Sequence, residues 1–309
     1  MIRFLLGRAA QAVVSILGVS TIVFVVMHLS GDPTVLLVPE GASREDIALL
    51  RRQLGFDRPL AVQYAQYLAS LARLDLGTSF VQRVPVGSII ASRLPYTLLL
   101  AGGATTVALG VGLPVGVLAG VRRGTLLARL LLPVVLVGQS MPTFWSGILL
   151  ILFFAVTLDV LPASGADTWS ALVMPSIALG ALSMATFARI TRTSVVEELG
   201  KDYVRATRAK GVATLRIVLG HVLRNASIPV ITVGALEIAN LLAGAVIVET
   251  VFAWPGLGQL AVQSIAGRDF LVVQALVLLA SFTYVALNFL ADLLYSVVDP
   301  RIKLFAATR

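Results

Sequence analysis

The chain has 309 residues, of which 58% are hydrophobic and only 13% charged, and its formal net charge is +8. Soluble domains average roughly a quarter charged residues, so the composition excludes an ordinary soluble domain, and basic residues grouped between apolar runs argue against a nucleic-acid partner. The absence of cysteine excludes disulfides, thiolate metal sites and cysteine nucleophiles, and leaves the redox environment unreadable.

Six apolar runs approach or exceed the ~20 residues that a helix needs to cross the hydrocarbon core. The fold class predicted is therefore an all-α polytopic membrane protein with six transmembrane helices. The predicted spans are residues 9–29, 96–121, 130–158, 171–188, 226–248 and 272–296. The fourth is the shortest and contains Pro175. Kinks are predicted at Pro114, Pro133 and Pro142.

Basic residues predict the orientation, because cytoplasmic loops retain Lys and Arg. Basic residues precede span one, separate spans two and three, and follow spans four and six. The loops 159–170 and 249–271 together contain a single basic residue, Arg268. Both termini are therefore predicted to be cytoplasmic. The predicted parts are a transmembrane anchor (1–30), an external helical insert (31–95) and a core of five helices (96–309).

The insert shows two amphipathic helices. Ser43 and Asp46 have nearly the spacing of a capping box, the first helix has Ile47, Leu50 and Leu54 on one face, and Gly55 ends it. The second helix follows Pro59, and its predicted apolar face consists of Leu60, Tyr64, Tyr67, Leu68, Leu71 and Leu74. An interfacial cap and a docking platform for an external partner both fit this pattern.

A stripe of small residues lies along the second span, at Ala104, Ala108, Gly112, Gly116 and Gly120. Small residues four positions apart let helix backbones approach closely. The stripe predicts either packing within one subunit or an interface between subunits.

The most informative segment is residues 189–224, which contains eight basic and three acidic residues. Asp202 is predicted to be an N-cap, residues 203–210 to form two helical turns, and Gly211 to stop them. A second helix is predicted from Thr214, with an apolar face of Leu215, Val218, Leu219, Val222 and Leu223.

A short basic helix between hinges is suited to a groove on a cytoplasmic partner, where Arg205, Arg208 and Lys210 would meet an acidic rim. A basic anchor on anionic lipid is the alternative from the pattern alone.

The segment resembles the cytoplasmic loop of binding-protein-dependent ABC importer permeases, with Arg205-Ala-Thr207 at the place of the EAA motif and Gly211 at that of its glycine. The whole chain resembles the dipeptide/oligopeptide (and nickel) permease subfamily. The stretches that carry this resemblance are Asp75-Leu-Gly-Thr-Ser-Phe80, Arg93-Leu-Pro-Tyr-Thr97, Met141-Pro-Thr-Phe-Trp145, Leu161-Pro-Ala-Ser-Gly165, Glu249-Thr-Val-Phe-Ala-Trp-Pro-Gly-Leu-Gly258 and Asp299-Pro-Arg301. Two departures are Arg205, in place of the acidic residue, and Glu237, where the family has an uncharged residue.

The resemblance implies one permease subunit of an ATP-driven peptide importer in the bacterial inner membrane. Its implied partners are a second homologous permease, two ATP-binding cassette subunits, an external substrate-binding protein and membrane lipid. The implied contacts to the ATPase are Tyr203, Val204, Arg205, Ala206, Thr207, Arg208, Ala209, Lys210 and Gly211. The chain has no Gly-x-x-x-x-Gly-Lys-[Ser/Thr] loop, so we expect it to be no enzyme and to bind no cofactor itself, with ATP and Mg on the ATPase subunits.

Five residues are predicted to line the pathway or its outer gate: Glu237, Asn240, Glu249, Phe252 and Trp254. A charge within a span suggests a function, although a protonated Glu237 packed against a helix also fits. The aromatic residues equally fit an interfacial belt. No catalytic or metal site is predicted. Import of nickel or another small solute, an ion-coupled secondary transporter and a membrane scaffold remain rivals.

Overall fold

A computed structural model describes residues 2–29, 43–53 and 55–298. These residues are helical apart from turns and an isolated antiparallel bridge between Thr78 and Pro85, so the all-helical prediction is confirmed for them. The helices are α1 (Ile2–Leu29), α2 (Arg44–Gln53), α3 (Leu60–Ala72), α4 (Val86–Val121), α5 (Leu126–Ser140), α6 (Thr143–Leu150), α7 (Val173–Leu199), α8 (Asp202–Ala209), α9 (Thr214–Ile217), α10 (Leu223–Val251), α11 (Leu257–Ala266) and α12 (Phe270–Val298). Asp299-Pro-Arg301 and Leu54 lie outside the described residues.

Four helical segments of the described chain are long and apolar enough to cross a membrane, or five if one bent pair forms a single span. The four are Val86–Val121, Trp169–Leu199, Thr214–Leu242 and Phe270–Leu290. In α1 the described apolar stretch, Val13–Val26, is shorter.

The third predicted span, 130–158, is wrong as a single helix. Helix α5 ends at Ser140, and α6 begins at Thr143 and is continued by a π-helix, Ile151–Thr157. The two segments Leu126–Ser140 and Thr143–Thr157 meet at an angle of 103°. Met141 is extended (φ −91°, ψ 135°) because the ring of Pro142 disfavours helical backbone in the residue before it. The kink predicted at Pro142 is therefore a complete break, whereas α4 and α5 run on through Pro114 and Pro133.

The fourth span is longer than predicted. A 3₁₀ turn, Trp169–Leu172, leads directly into α7, and the whole segment extends to Leu199. Pro175 lies in the first turn of α7, where a backbone N–H has no partner within the helix, so the proline costs no hydrogen bond. Helix α7 packs against α10, α5 and α6 and is the most buried candidate span.

The small-residue stripe of α4 packs against α7 within the same subunit. A Cβ on Gly112 would lie 2.7 Å from the carbonyl oxygen of Met184, and one on Gly116 would lie 2.6 Å from that of Ala188. Ala104 and Ala108 are fully buried. The internal-packing reading of the stripe is confirmed, because any larger side chain would push the two helices apart.

The chain forms two compact units, one of Pro95–Gln259 with residues from Tyr284 onward, the other of Ile2–Leu94 with Leu260–Thr283. The core of the first unit combines buried side chains of α4, α7 and α10 with those of the turn after α10, among them Leu100, Met174, Leu179, Leu241, Phe252 and Trp254. The division predicted at residues 30 and 95 stays a prediction.

In the second unit the capping box is confirmed. The Ser43 hydroxyl accepts from the Asp46 N–H at 3.1 Å, and the Ser43 N–H donates to Asp46 Oδ2 at the same distance. The Ser43 hydroxyl also donates to Asp46 Oδ2 at 2.7 Å, and this bond, ahead of the one from the Ser43 backbone N–H, lowers the pKa of Asp46. Gly55 has a φ of +75°, which suits the predicted helix stop.

The predicted face of α3 is only partly confirmed. Tyr64, Tyr67, Leu68 and Leu71 are half-buried, whereas two end positions, Leu60 and Leu74, are exposed. Helix α3 contacts α1 through a 2.6 Å hydrogen bond between the Tyr64 hydroxyl and Thr21 Oγ1. Leu74 lies beyond the end of the helix, so the helical period no longer places it on this face.

Candidate functional site

Helix α8 carries the predicted contacts to a cytoplasmic partner. The predicted N-cap is wrong by one residue: Lys201 holds the cap position and Asp202 begins the helix. Lys201 makes no capping bond with its side chain, and the Asp202 carboxylate lies 2.7 Å from Nη2 of Arg205. Gly211 ends the segment, as predicted, with its backbone in the left-handed region (φ +80°). Its N–H donates to the backbone carbonyl of Arg208 at 2.9 Å.

One face of α8 is anchored and the other is open. Val204 is fully buried in a cluster with Val195, Ile217 and Val222, which lie before and after the helix in the chain. The exposed residues are Arg205, Ala206, Arg208, Ala209 and Lys210, while Tyr203 and Thr207 are half-buried. The helix therefore presents a small, basic surface from a fixed base.

Glu198, in the last turn of α7, fixes the base of α8. Its Oε2 accepts from the Tyr203 hydroxyl at 2.7 Å and from the Asn225 side-chain amide at 3.3 Å, and its Oε1 accepts from the Lys201 ammonium group. Glu198 itself is buried. A single carboxylate thus joins the end of α7, the start of α8 and the start of α10.

The two side chains at the start of α8 that donate to Glu198, those of Lys201 and Tyr203, keep their protons at neutral pH. The hydrogen bond to Glu198 raises the pKa of Lys201. Burial, followed by the hydrogen bond to the Glu198 carboxylate, raises the pKa of Tyr203. Both side chains therefore remain donors to Glu198 across the physiological range.

The sequence interpretation missed Glu198 and the role of Asn225. A signal was present, because a carboxylate in the last turn of a helix lies at the unfavourable end of the helix dipole and calls for a compensating donor. Its partner Asn225 is 27 residues away in the chain, however, and only the fold brings the two together.

The second helix of the segment begins at Thr214 as predicted, but its buried face differs. Ile217, Val218 and Val222 are buried, whereas Leu215 and Leu219 are 70% and 59% exposed. Val218 and Val222, four residues apart, lie together on the buried side, whereas Leu215 and Leu219, also four residues apart, lie together on the exposed side. The turn Val218–Val222 is π-helical, which widens the helix at this point.

Glu237, in α10, contacts α7. The Ser183 hydroxyl donates to Glu237 Oε2 at 2.5 Å, and the Glu237 side chain is only partly buried. Asn240, one turn later, is exposed. The contact is compatible with packing between helices and with a pathway-lining carboxylate, so the pathway role stays a prediction.

Glu249 lies at the centre of a buried hydrogen-bond network. Its Oε1 accepts from Thr97 Oγ1 at 2.7 Å, and its Oε2 accepts from the backbone N–H groups of Gly258 at 2.6 Å and Gln259 at 3.0 Å. These N–H groups are among the unpaired donors at the start of α11, where the helix dipole favours a carboxylate. Glu249 therefore caps a helix that begins eight residues later.

The turn between α10 and α11 is closely packed. The Trp254 indole N–H donates to the Tyr96 carbonyl at 2.9 Å, and the Gly165 N–H donates to the Phe252 carbonyl at 2.9 Å. A side chain on Gly256 would overlap the Glu249 carboxylate. Glu249, Phe252 and Trp254 are all buried, so they would reach an external partner only if the turn opened. Their predicted gate role stays a prediction.

The sequence profile described as "binding-protein-dependent transport system inner membrane component" matches residues 112–304, and the profile of the N-terminal part of such components matches residues 1–101. The chain belongs to this family of inner-membrane transport components. The resemblance inferred from the motifs is confirmed, and so is location in the inner membrane.

Curated relatives match this permease over almost its whole length. The glutathione transport system permease protein of Salmonella typhimurium (strain LT2) is 42% identical over 304 residues, covering 98% of this chain and 99% of the relative. The dipeptide transport system permease protein of Escherichia coli (strain K12) is 37% identical over 336 residues, with the same coverage.

Solved structures show the same fold. An inward-facing structure of the MetNI methionine ABC transporter matches with a TM-score of 0.58 at 23% identity, covering 68% of this permease and 96% of that chain. An amino acid ABC transporter crystallised with histidines matches with a TM-score of 0.53 at 20% identity, covering 68% and 94%. The permease therefore has the fold of an ABC importer membrane subunit.

Proposed function

We propose that this permease forms one half of a membrane pathway for dipeptides or oligopeptides and is driven by separate ATPase subunits. Its relatives are named for glutathione and dipeptide transport, and both substrates are small peptides. The proposed assembly adds a second homologous permease, two ATP-binding cassette subunits that bind ATP and Mg, and an external binding protein.

The proposed arrangement in the membrane has six spans with both termini in the cytoplasm. Residues 1–30 would form the anchor, 31–95 an external insert and 96–309 the core with its coupling loop, 189–224. The support is the placement of basic residues, which the inner membrane retains on its cytoplasmic side.

The main support for the proposal is that the two faces of α8 differ, one being buried against the core and the other exposed. Val204 and the Glu198 contacts hold one face of the helix on the core, while the opposite face exposes Arg205, Ala206 and Arg208. A force applied to the exposed face would be transmitted through Tyr203 and Glu198 into α7 and α10. We assign residues 203–211 to ATPase coupling on this basis.

The proposed pathway is lined by Glu237 and Asn240, and its outer gate contains Glu249, Phe252 and Trp254. Peptide substrates carry an amine that a carboxylate such as Glu237 would attract. Opening of the gate would require the hydrogen bonds of Glu249 to be exchanged, since they close the turn at residues 252–258.

The decisive experiment is reconstitution of the permease with its partner subunits in proteoliposomes, with ATP hydrolysis and peptide uptake measured together. Ala206→Glu places a bulky acid on the exposed face of α8 and should abolish binding-protein-stimulated ATP hydrolysis. Ala206→Ser, a small neutral change at the same position, is the matched control and should retain it. Uptake by the permease without any ATPase would instead establish a secondary transporter.

Substrate class is tested in the same system. Labelled dipeptide, tripeptide, glutathione and nickel are offered in parallel, each with the matching binding protein. Uptake of peptides but not of nickel supports the proposal. Uptake of nickel but not of peptides would show that the permease belongs to a nickel importer.

A further inference from the structure

The break between α5 and α6 leaves backbone groups without hydrogen-bond partners among the described residues. They are the N–H groups of Met141, Thr143 and Phe144 and the carbonyls of Gln139, Ser140 and Met141. Pro142 has no N–H. The fold of this chain does not enclose the segment, because Ser140 and Pro142 are exposed and Met141 and Thr143 are half-buried.

The break lies at the depth of the hydrocarbon core. Helix α5 follows a turn in which Arg122 and Arg123 are exposed, and such residues lie at the level of the headgroups. The 15 residues of α5 extend about 22 Å at a rise of 1.5 Å per residue. The hydrocarbon core is ~30 Å thick, so α5 ends inside it at any tilt.

The surroundings of the break in the membrane must supply donors and acceptors. Lipid tails have neither, so irregular backbone at this depth is stable only against protein or beside a water-filled path. A helix of a neighbouring subunit would not serve, because its own backbone groups are already paired within the helix. A peptide in an aqueous path has free groups of both kinds.

The backbone of the break has the conformation that pairs with an extended peptide. Met141 (φ −91°, ψ 135°) and Pro142 (φ −57°, ψ 137°) are both extended. The N–H and the carbonyl of an extended residue lie on one edge of the chain, so both unpaired groups of Met141 can meet a single partner residue. An extended peptide binds such an edge by exchanging N–H and carbonyl groups with it, as an added strand does.

The break is close to the stretch of α7 that holds Glu237. A Cβ on Gly138 would lie 3.5 Å from the Cβ of Ala181, and the hydroxyl of Ser183, two residues later, donates to Glu237. Met141 follows Gly138 by less than one helical turn. The unpaired backbone and the carboxylate assigned to the pathway therefore lie at neighbouring levels along one helix.

We propose that Met141 binds the backbone of the transported peptide by exchanging two hydrogen bonds with one extended substrate residue. The inference rests on the proposed function, since it requires a peptide in the pathway. In a dipeptide the second residue supplies both partners, because its N–H donates to the Met141 carbonyl and its carboxylate accepts from the Met141 N–H. This contact uses no substrate side chain, so it admits peptides of different sequence.

The test compares Ala-Ala with Ala-N-methylalanine as substrates of the importer reconstituted in proteoliposomes. N-methylation removes the substrate N–H, and Met141→Pro removes the Met141 N–H and places a ring on the same edge. The binding protein is the same for every permease variant, so its own preference cancels when the ratios of kcat/KM for the two peptides are compared. This ratio should be about ten-fold higher for the wild type than for Met141→Pro. Val134→Leu, which changes a 70% exposed side chain in α5, should keep the wild-type ratio.

A second measurement needs no variant and decides the question if Met141→Pro does not assemble. Ala-photoleucine, a dipeptide with a diazirine in its second side chain, is photolysed in the wild-type importer during ATP-driven uptake. Mass spectrometry should find adducts at residues 139–144 that excess Ala-Ala suppresses. Adducts confined to other segments would overturn the proposal.

An equal ratio in the wild type and in Met141→Pro would also overturn it, because the break would then face water or another subunit. Peptide uptake with that result leaves the proposed function standing and removes only the role of Met141. Uptake of nickel or another solute, with no peptide uptake by the wild type, would overturn both.

Discussion

Tyr203, in the first turn of α8, donates its hydroxyl to Glu198 at the end of α7 across 2.7 Å, although a sharp turn separates the two helices. The orientation of the exposed helix is thereby set by a carboxylate that lies outside it. Lys201 and Asn225 donate to the same carboxylate, so α8 moves together with α7 and α10 or loses these bonds.

Tyr203→Phe should loosen α8 without removing the ring that packs beside Val204. The loss of one hydrogen bond to a carboxylate costs about 1–3 kcal/mol, and Asn225 and Lys201 retain part of the anchor. Hydrogen–deuterium exchange of residues 202–211 should become faster, and substrate-stimulated ATP hydrolysis should fall relative to basal hydrolysis. Glu198→Ala should show the same effects more strongly. Unchanged hydrogen–deuterium exchange in both variants would show that these hydrogen bonds do not hold α8 in place.

Gly211→Ala should weaken the turn after α8 through backbone conformation alone. The glycine has a φ of +80°, and an added Cβ would meet no atom within 4 Å. A non-glycine residue in this conformation costs roughly 1–2 kcal/mol. The matched control is Gly220→Ala, where a Cβ also meets nothing within 4 Å and no positive φ occurs. Thermal unfolding of both variants in detergent should show a lower Tm for Gly211→Ala only.

Much of this segment could be predicted from the sequence because its signals are local. The stop at Gly211 and the start at Thr214 depend on residues within one turn. The exposure of Leu215 and Leu219 could not be predicted, since the sequence shows one broad apolar face and only the packing of the fold decides that Val218 and Val222 are its buried part.

Contacts between residues that are distant in the chain could not be predicted either. The pattern singled out Glu249 as a candidate gate residue, but nothing in it showed that Thr97 would lie 2.7 Å away and that the carboxylate would be buried. The apolar run over 130–158 suggested one helix, although Pro142 turns the chain by 103° there. Hydropathy predicts the length and polarity of an apolar segment, whereas the direction of the chain within it depends on the backbone conformation at Met141 and Pro142.

Glu249→Ala should destabilise the turn between α10 and α11. Thr97 Oγ1 and the N–H groups of Gly258 and Gln259 would each lose their acceptor in a buried site. The expected loss is about 1–3 kcal/mol for each donor left unpaired. Thermal unfolding should give a larger drop in Tm for Glu249→Ala than for Glu249→Gln, whose amide oxygen can still accept. Equal Tm values for both variants and the wild type would show that the network is not structural.

Glu237→Gln should change peptide uptake while leaving assembly intact. The amide oxygen can still accept from Ser183, so only the capacity for negative charge is lost. Ser183→Ala is the complementary control, because it removes the hydrogen bond and keeps the carboxylate. A charge-dependent pathway role predicts altered uptake in Glu237→Gln and near-normal uptake in Ser183→Ala. Unchanged uptake of every peptide in Glu237→Gln would take this residue out of the pathway.

Site-directed cross-linking of α8 tests the central claim most directly, because the chain has no cysteine and an introduced one can be labelled specifically in the isolated permease before assembly. Ala206→Cys, on the exposed face of α8, is labelled in this way with a short photo-cross-linker, the assembled importer is illuminated, and the products are identified by mass spectrometry. Thr168→Cys, exposed in a loop predicted to lie on the opposite side of the membrane, is the control. The account predicts that Ala206→Cys cross-links to an ATPase subunit and that Thr168→Cys does not. Cross-linking of Ala206→Cys to lipid alone, with no ATPase product in the active complex, would contradict it.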